Sequence, residues 1–139
     1  MKLEEIRYKD YLISNNKDLL SIERIHALLS RSYWAGKRTR EIIEKSINHS
    51  ECFGIFLNND QVGFARIVTD HSVMYWLCDV FIEEGHRKQG LGKKLIETIV
   101  NHEELKNLAG ILATSDAYGL YEKYGFVKDT ERFMRRMVK

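Results

Sequence analysis

The chain has 139 residues, of which 44% are hydrophobic and 30% charged, a composition typical of one soluble globular domain rather than a disordered chain. Its formal net charge of +2 argues against a dedicated nucleic-acid-binding protein. No apolar run approaches the roughly 20 residues of a membrane span, and the charged N-terminus has no signal core. We therefore expect a single domain over residues 1–139, located in the cytoplasm, with no nucleic-acid or membrane partner.

Hydrophobic periodicity in the N-terminal half predicts a strand, two helices and a pair of strands. Ile25 and Leu29 share one face of the first helix, and Thr39 is a suitable N-cap for the second. The polar Asn58-Asn59-Asp60 segment between two β-like runs indicates a hairpin. The predicted elements are a strand over 6–14, helices over 19–31 and 39–48, and strands over 51–57 and 61–69.

The C-terminal half alternates strands with helices. The run over 73–82 is the most apolar, which predicts a central strand, and a basic loop with two glycines then opens into an amphipathic helix. Gly125 is a C-cap signal that ends a later short helix. The predicted elements are a strand over 73–82, the loop and helix over 83–102, a strand over 108–114, a helix over 117–124 and closing strands over 126–139. Together these elements predict one α+β domain.

The cysteines and histidines do not indicate a metal site. Cys52 and Cys78 lie in apolar, β-like stretches without metal-ligand spacing, and the five histidines form no cluster in the sequence. Buried cysteine behaves as a small hydrophobic residue. We therefore expect two buried, reduced thiols, no disulfide and no bound metal.

The loop before the predicted helix at 90–102 combines two glycines with several basic residues. Gly90 and Gly92 stand at the helix start, where unpaired N–H groups and the helix dipole favour a phosphate. Leu91 replaces the lysine that a P-loop needs, and Leu95 replaces the third glycine of a dinucleotide fingerprint. The loop therefore predicts a pyrophosphate site of another kind, with a purely structural glycine loop as the alternative.

A second motif lies in the short helix that Gly125 ends. Tyr121 is placed four residues before this glycine, and a tyrosine on such a helix can serve packing alone. The pattern Arg-x-x-Gly-x-Gly at 87–92, followed by Tyr-x-x-x-Gly-Phe at 121–126, nevertheless resembles the acetyl-CoA loop and tyrosine motif of the GCN5-related N-acetyltransferase (GNAT) superfamily. The order of elements resembles that family over nearly the whole chain.

The resemblance implies a three-layer αβα fold of the α+β class, with a mixed, mostly antiparallel central sheet flanked by about four helices. Two positions depart from the family pattern, because Glu84 and Lys88 stand where many relatives carry proline and glycine. Neither change removes a backbone donor from the loop, so the resemblance still implies binding of acetyl-CoA.

The activity that the resemblance implies is acetyl-CoA-dependent transfer of an acetyl group to a primary amine of a small molecule or peptide. Transfer would be direct, within a ternary complex, with acetyl-CoA as the acyl-donor co-substrate and without a metal. The alternative is a non-catalytic acyl-CoA-binding regulatory module, and the presence of Tyr121 favours the enzyme. Formation of a homodimer is left open.

The resemblance also implies which residues contact acetyl-CoA. The end of the central strand would bind the pantetheine like an added strand and provide a backbone N–H that polarises the acetyl oxygen. The loop would supply N–H groups and positive charge to the phosphates. Tyr121 would lie beside the sulfur and act as the general acid. The expected contacts are Val80, Phe81, Ile82, Arg87, Lys88, Gln89, Gly90, Leu91, Gly92, Lys93 and Tyr121.

On the acceptor side, the connector between the first two helices would border the amine. Tyr33, Trp34 and Arg38 give it an aromatic and cationic lining, which suits an acceptor with an aromatic or carboxylate group. Asp79, beside the expected oxyanion strand, could act as the general base or as an anchor for the ammonium group. Its alternative role is a structural ion pair with Arg66 or another cation.

Asp116 has two open roles. It could act as a base through a water molecule, or cap the helix that begins at 117, and the cap is favoured because Asp is a preferred N-cap residue. The sequence does not identify the amine acceptor, the general base, the oligomeric state or the preferred acyl length.

Overall fold

Six strands form one sheet in the computed structural model, which describes residues 1–138. The strands lie side by side in chain order, and neighbours are antiparallel except for the last pair, which is parallel. Their bounds are β1 Glu5–Tyr8, β2 Tyr11–Ser14, β3 Glu51–Leu57, β4 Asp60–Thr69, β5 Met74–Ile82 and β6 Ala109–Leu112. The mixed, mostly antiparallel sheet that the sequence predicts is thereby confirmed.

In the described part of the chain, four α-helices accompany the sheet. Ser21 caps the first helix and Thr39 caps the second, each through a side-chain oxygen that accepts a backbone N–H of the first turn. Their bounds are α1 Ile22–Leu29, α2 Arg40–Asn48, α3 Leu91–Val100 and α4 Tyr118–Glu122, with short 3₁₀ turns at Lys17–Leu19 and Glu84–His86. The first helix is shorter than the predicted span of 19–31.

Each face of the sheet carries its own hydrophobic core. Ile25 of α1 and Ile43 of α2 are buried in one core, and Leu95 of α3 is buried in the other. Cys52 and Phe53, neighbours in β3, belong to different cores, as expected because successive strand residues point to opposite faces. The helices therefore form two layers around the sheet, which confirms the α+β fold with αβα layers.

A β-bulge interrupts the pairing of β4 with β5 next to Asp79. Phe64 lies opposite Phe81. Two residues further along β4, Arg66 lies opposite Cys78, so β5 contains one extra residue over this interval. Asp79 adopts a left-handed backbone, with φ of 53°. The β5 residues before the bulge pack in the α3 core, whereas Phe81 packs in the α1–α2 core, so the bulge moves the strand's side chains to the other face.

Strands β5 and β6 separate before β5 ends. Their parallel ladder joins Met74–Leu77 to Ala109–Leu112, but β5 continues to Ile82. Among the described residues, the edge of β5 from Cys78 onward therefore has no neighbouring strand on the β6 side. Backbone groups on such an edge are free to bind an extended ligand.

The predicted first strand over 6–14 is wrong in form, because this segment is a two-stranded hairpin. Tyr8 pairs with Tyr11, and Lys9 between them adopts a left-handed backbone with φ of 53°. A residue with this backbone cannot continue a strand, so the chain reverses there.

The closing strands predicted over 126–139 are absent from the described part of that segment. Phe133 stacks on Trp76 of β5, but Met134 next to it is 94% exposed. Because neighbouring strand residues point to opposite sides, an adjacent apolar pair cannot share one buried face. Lys139 lies outside the described residues.

Both cysteines are free thiols; Cys52 is buried, as predicted, whereas Cys78 is only half-buried, contrary to the prediction. None of the described helices combines the length and apolar character that a bilayer span requires. The described residues also contain no group of three or more His, Cys, Asp or Glu side chains placed to hold a metal ion.

Candidate functional site

The N-terminus of α3 differs chemically from those of α1 and α2. The latter two begin with side-chain caps and carry an acidic residue, Glu23 or Glu41, in the first turn. Helix α3 instead begins at Gly90, which offers no side-chain cap, and its first turn contains Lys93 and no acidic residue. Its first N–H groups therefore lack a side-chain acceptor, and the helix dipole favours an anion there. This end of α3 has the chemistry of a phosphate-binding point.

The two glycines of the loop contribute in different ways. Gly90 has a left-handed backbone with φ of 83°, and a Cβ on it would lie 2.5 Å from the Tyr8 hydroxyl. No larger residue fits there unless Tyr8 moves. A Cβ on Gly92 would meet only Leu120 Cδ2, at 3.8 Å. The space above the first turn is therefore open and can accept a phosphate group.

The β1–β2 hairpin holds this loop in place. Tyr8 Oη and Lys9 Nζ both donate hydrogen bonds to the Gln89 carbonyl, at 2.9 and 2.8 Å. Tyr11 Oη lies 2.8 Å from His86 Nδ1, and the two rings meet edge-on. These contacts fix the residue directly before the N-cap of α3, so the hairpin sets the position of the first N–H groups of this helix.

The basic residues of the loop differ in how far their side chains are already engaged by the protein. Arg87 Nε donates to the Ile82 carbonyl at 2.9 Å, and the guanidinium lies over the Phe81 ring. Arg87 thus packs on the end of β5. Lys88 has a left-handed backbone with φ of 64°, a conformation that favours glycine. The side chains of Lys88 and Lys93 are exposed and available to an anion.

The α1–α2 connector spans the opening between β5 and β6. Trp34 and Arg38 of this connector contact residues of β5. The Tyr33 hydroxyl lies 2.6 Å from Ser115 Oγ, in the segment that follows β6. The connector therefore links the two strands at the end where they diverge.

Tyr121 of α4 has a buried ring that packs edge-on against Phe126, at 6.0 Å between centroids. Burial, with smaller contributions from the Asp116 carboxylate and from Tyr33, raises the pKa of Tyr121 to about 12. The phenol therefore keeps its proton at neutral pH and can donate a hydrogen bond.

Asp116 does not cap α4, and that favoured prediction is wrong. The N-cap is Ala117, which makes no side-chain cap bond, and its N–H donates to Thr114 Oγ1 at 3.1 Å. The threonine hydroxyl thus binds the N–H of the N-cap residue, in the turn that precedes the helix. The other predicted role of Asp116, as a base acting through water, stays a prediction.

Asp79 at the β5 bulge is the centre of a buried ionic cluster, with 1% of its side chain exposed. Its Oδ2 accepts hydrogen bonds from Arg38 Nη1 at 2.7 Å and from Arg66 Nε at 2.8 Å. Arg66 also donates to Ser50 Oγ at 3.0 Å. Among the described residues, Oδ1 has no hydrogen-bond partner. The ion pair with Arg66, one of the alternatives for Asp79, is thus present, and Oδ1 stays available to another group.

Tyr33, Trp34 and Phe81 form an aromatic wall beside this cluster. Tyr33 meets Trp34 edge-on at 5.1 Å, and Trp34 lies 6.2 Å from Phe81, whose ring also carries the Arg87 guanidinium. Trp34 is 40% exposed, so the wall borders solvent. The connector residues predicted to border the acceptor therefore lie together with Asp79.

A cavity of about 880 Å³ lies beside β6 and is lined by residues that include Tyr121, Phe126 and Phe133. Neither the loop at 87–93 nor Asp79 lines it. The cavity follows the outer side of β6, where no strand of the described residues pairs. The loop, the β5 edge and the connector thus form a candidate site that does not line this cavity, whereas Tyr121 does line it.

Sequence reasoning missed the hairpin residues Tyr8, Lys9 and Tyr11. Lys9-Asp10, two charged residues inside a β-like run, is a turn signal that could have predicted the hairpin. No sequence pattern connects these residues with Gln89, because their contacts join segments about 80 positions apart.

The chain is similar to acetyltransferases in sequence and in structure. The family model of the acetyltransferase (GNAT) domain matches residues 48–128. A candidate acetyltransferase of the GNAT family from Xanthomonas campestris pv. campestris is 38% identical, with a TM-score of 0.87 over 92% of this chain and 93% of that one. The candidate acetyltransferase FG08082 of Gibberella zeae is 27% identical over 89% of this chain and 82% of its own length. A candidate acetyltransferase from Clostridium acetobutylicum, solved with acetyl-CoA, shares the fold at 19% identity, with a TM-score of 0.66 over 91% of this chain and 94% of that one.

Proposed function

Because the chain belongs to the GNAT family of acetyltransferases, we propose that it transfers the acetyl group of acetyl-CoA directly to a primary amine of a small molecule or peptide. The observation that carries this proposal is the uncapped, basic N-terminus of α3 beside the open edge of β5. The N-terminus of α3 suits a pyrophosphate, and the open edge of β5 suits an extended pantetheine chain. Acetyl-CoA, when bound, supplies the activated acetyl thioester.

The residues that would hold acetyl-CoA follow from this geometry. Within the segment Val80, Phe81 and Ile82, the backbone groups that face the unpaired edge of β5 would hydrogen-bond to the pantetheine. The loop from Gln89 to Lys93 would present N–H groups to the pyrophosphate, with Lys88 as a further cation. Arg87, whose guanidinium lies over the Phe81 ring at the end of β5, would contribute positive charge beside the bound acetyl-CoA.

A backbone N–H at the β5 bulge would polarise the acetyl oxygen. The bulge turns the strand at Asp79 and leaves backbone groups of the next residues without a β6 partner. A preorganised donor at a developing oxyanion is worth about 2.7–4 kcal/mol where it has been measured. This donor belongs to the folded backbone, so no side-chain substitution removes it directly.

Tyr121 would donate a hydrogen bond to the departing sulfur. With its pKa raised to about 12, complete proton transfer to a thiolate of reference pKa about 8.5 would be uphill by roughly 5 kcal/mol. The hydroxyl is thus better suited to stabilise the thiolate than to give up its proton fully. In the balanced reaction, the nitrogen of the neutral amine bonds to the acetyl carbon and the carbon–sulfur bond breaks. The proton that the amine loses ends on the departing sulfur, so CoA leaves as its thiol.

Direct transfer is supported by the state of the two thiols. Burial raises the pKa of Cys52 to about 12 and that of Cys78 to about 11. A thiol nucleophile needs a lowered pKa, because the thiolate is the reactive form. Neither cysteine is therefore suited to carry the acetyl group as an intermediate.

On the acceptor side, we propose that Tyr33, Trp34 and Arg38 border the amine. Asp79 would contribute through Oδ1, as an ammonium anchor or as a base, since Oδ2 is occupied by two guanidinium groups. A cytoplasmic location and a homodimer stay predictions.

The test is initial-rate kinetics with acetyl-CoA and a panel of primary amines, following release of the CoA thiol. Intersecting double-reciprocal lines, together with no acetylated enzyme by mass spectrometry, are expected for a ternary complex. Parallel lines and an acetyl-enzyme would contradict direct transfer. Binding of acetyl-CoA without turnover of any amine would instead favour the non-catalytic module.

A further inference from the structure

We propose that the acceptor is a small amine that also carries a carboxylate, and that Arg38 binds this carboxylate. The inference rests on the proposed function and narrows its substrate class. It is carried by the ionic cluster of Arg38, Arg66 and Asp79 and by the aromatic wall next to it.

The cluster holds one positive charge more than its internal partners neutralise. Two guanidinium groups share a single carboxylate oxygen, and the further partner of Arg66 is the neutral hydroxyl of Ser50. No other acidic group among the described residues forms an ion pair with Arg38 or Arg66. Positive charge at a part-buried position is costly unless an anion approaches it.

Arg38 is the most exposed member of the cluster. Its side chain is 29% exposed, compared with 15% for Arg66 and 1% for Asp79. Only its Nη1 is used by Asp79, so the guanidinium retains donors for a second carboxylate. Binding at Arg38 would therefore neutralise the cluster without breaking its internal bonds.

The surroundings of Arg38 select against a cationic ligand. The connector over 31–38 contains three basic residues and no acidic one. Trp34, exposed on the same connector, offers an aromatic surface to an apolar group of the ligand. The single surplus charge matches a carboxylate better than a phosphate, which carries about −1.5 to −2 at neutral pH.

Asp79 offers a hydrogen-bond acceptor to the amine end of the ligand. Oδ1 is a buried acceptor without a hydrogen bond among the described residues. An unsatisfied buried acceptor costs about 1–3 kcal/mol and is rare unless a ligand or water completes it. An amine N–H of the acceptor can complete it while the carboxylate of the same molecule binds Arg38. This pairing describes an α-amino acid or a closely related amino carboxylate.

The test compares matched amines in the same thiol-release assay. L-Phenylalanine, L-phenylalaninamide and phenethylamine share a ring and an amine, but only the first has a carboxylate. We expect kcat/KM to be about tenfold or more higher for L-phenylalanine, since a charge-assisted bond of this kind discriminates by about that factor. The amide has the amine of lower pKa and thus the larger neutral fraction, so amine protonation alone would give the opposite order.

Substitution at Arg38 identifies the residue responsible. In Arg38→Gln, the ratio of kcat/KM for L-phenylalanine to kcat/KM for L-phenylalaninamide should fall about tenfold, because only L-phenylalanine loses a carboxylate contact, and Arg38→Lys should restore part of this ratio. Arg40→Gln is the matched control, because Arg40 is an exposed arginine that pairs with Glu23. Thermal melting and acetyl-CoA affinity of each variant show that the fold and the donor site are intact.

The proposal would be overturned if the wild-type protein acetylated the two amines without a carboxylate as fast as L-phenylalanine, or faster. An equal loss of kcat/KM on all three amines in Arg38→Gln would also overturn it. A third contrary outcome is a preference for O-phosphoethanolamine over ethanolamine that exceeds the preference for L-phenylalanine over phenethylamine. If the protein binds acetyl-CoA in calorimetry but acetylates no amino carboxylate, this substrate class is wrong and the donor assignment stands. If it does not bind acetyl-CoA, the proposed function fails as well.

Discussion

The Tyr8 hydroxyl donates a hydrogen bond to the Gln89 carbonyl, 2.9 Å away, and so joins β1 to the loop that begins α3. This contact makes two distant features of the sequence depend on each other. Gly90 must be a glycine partly because Tyr8 occupies the space of its Cβ. The N-terminal hairpin is therefore a part of the proposed donor site and not only the edge of the sheet.

Replacement Tyr8→Phe should weaken acetyl-CoA binding about two- to tenfold, because one hydrogen bond of about 0.5–1.5 kcal/mol no longer holds the loop. Calorimetric titration with acetyl-CoA measures this effect. We expect kcat at saturating acetyl-CoA to change little, since the reacting groups lie elsewhere. Tyr118→Phe is the control, because it removes a hydroxyl from an exposed ring of α4. Equal affinities of Tyr8→Phe and the wild type would show that the hairpin does not position the loop.

The two loop glycines should respond differently to substitution. Gly92→Val should fold with a melting temperature close to that of the wild type, because its new side chain meets only Leu120 in ordinary contact. It should nevertheless lose at least about tenfold in acetyl-CoA affinity, because the branched side chain covers the first-turn N–H groups. Gly90→Ala should lower the melting temperature as well, since it needs a left-handed alanine and displaces Tyr8.

Gly119→Ala on α4 serves as the control for both variants, because its Cβ would meet nothing within 4 Å. We expect it to bind acetyl-CoA normally and to be slightly more stable, since alanine favours a helix over glycine. A folded Gly92→Val protein with normal affinity would remove the phosphate assignment from this loop.

Much of the fold could be predicted because its helices and central strands have clear periodicity. The strand over 73–82 was predicted almost to its ends, yet its bulge could not be. Alternation of buried and exposed residues continues through Asp79, and the change of face becomes visible only when the partner strand is known. The prediction of strands after residue 126 was wrong because β-prone residues without a partner strand do not form a strand.

The candidate site was predictable where one segment carries the chemistry and not where several segments meet. The loop at 87–93 has its glycines and lysines within seven residues, so a phosphate site could be predicted from this segment alone. The cluster around Asp79 combines Arg38 of the connector with Arg66 of β4. Its shared carboxylate oxygen and unpaired Oδ1 depend on side-chain geometry that spacing does not encode.

Replacement Tyr121→Phe should lower kcat about 10²–10³-fold, as expected when one preorganised donor to a developing charge is removed. Acetyl-CoA affinity should stay nearly constant, because the contact forms in the transition state. The buried ring and its packing on Phe126 are retained, so the melting temperature should change little. Because the pKa of Tyr121 is raised to about 12, the wild-type rate should show no titration of this phenol below about pH 11. Normal turnover in Tyr121→Phe would assign this residue to packing alone.

The buried thiols predict how stability depends on alkaline pH. Burial raises the pKa of Cys52 from 9.0 to about 12 and that of Cys78 to about 11. In the unfolded chain both thiols lose their protons near their ordinary value, while the folded protein keeps them. Their contribution to stability is therefore complete below about pH 9 and is lost as pH rises toward 11–12.

Urea unfolding at about pH 8 and about pH 10.5 measures this dependence. The wild-type free energy of unfolding should fall between the two pH values, and in Cys52→Ala it should fall less, although that variant starts lower because of the cavity it creates. Tyr75 and Tyr121, whose pKa values burial also raises, act equally in both proteins and cancel in the comparison. Cys78→Ala should reduce the fall as well. An equal fall in the wild type and both cysteine variants would show that these thiols are not protected from ionisation by the fold.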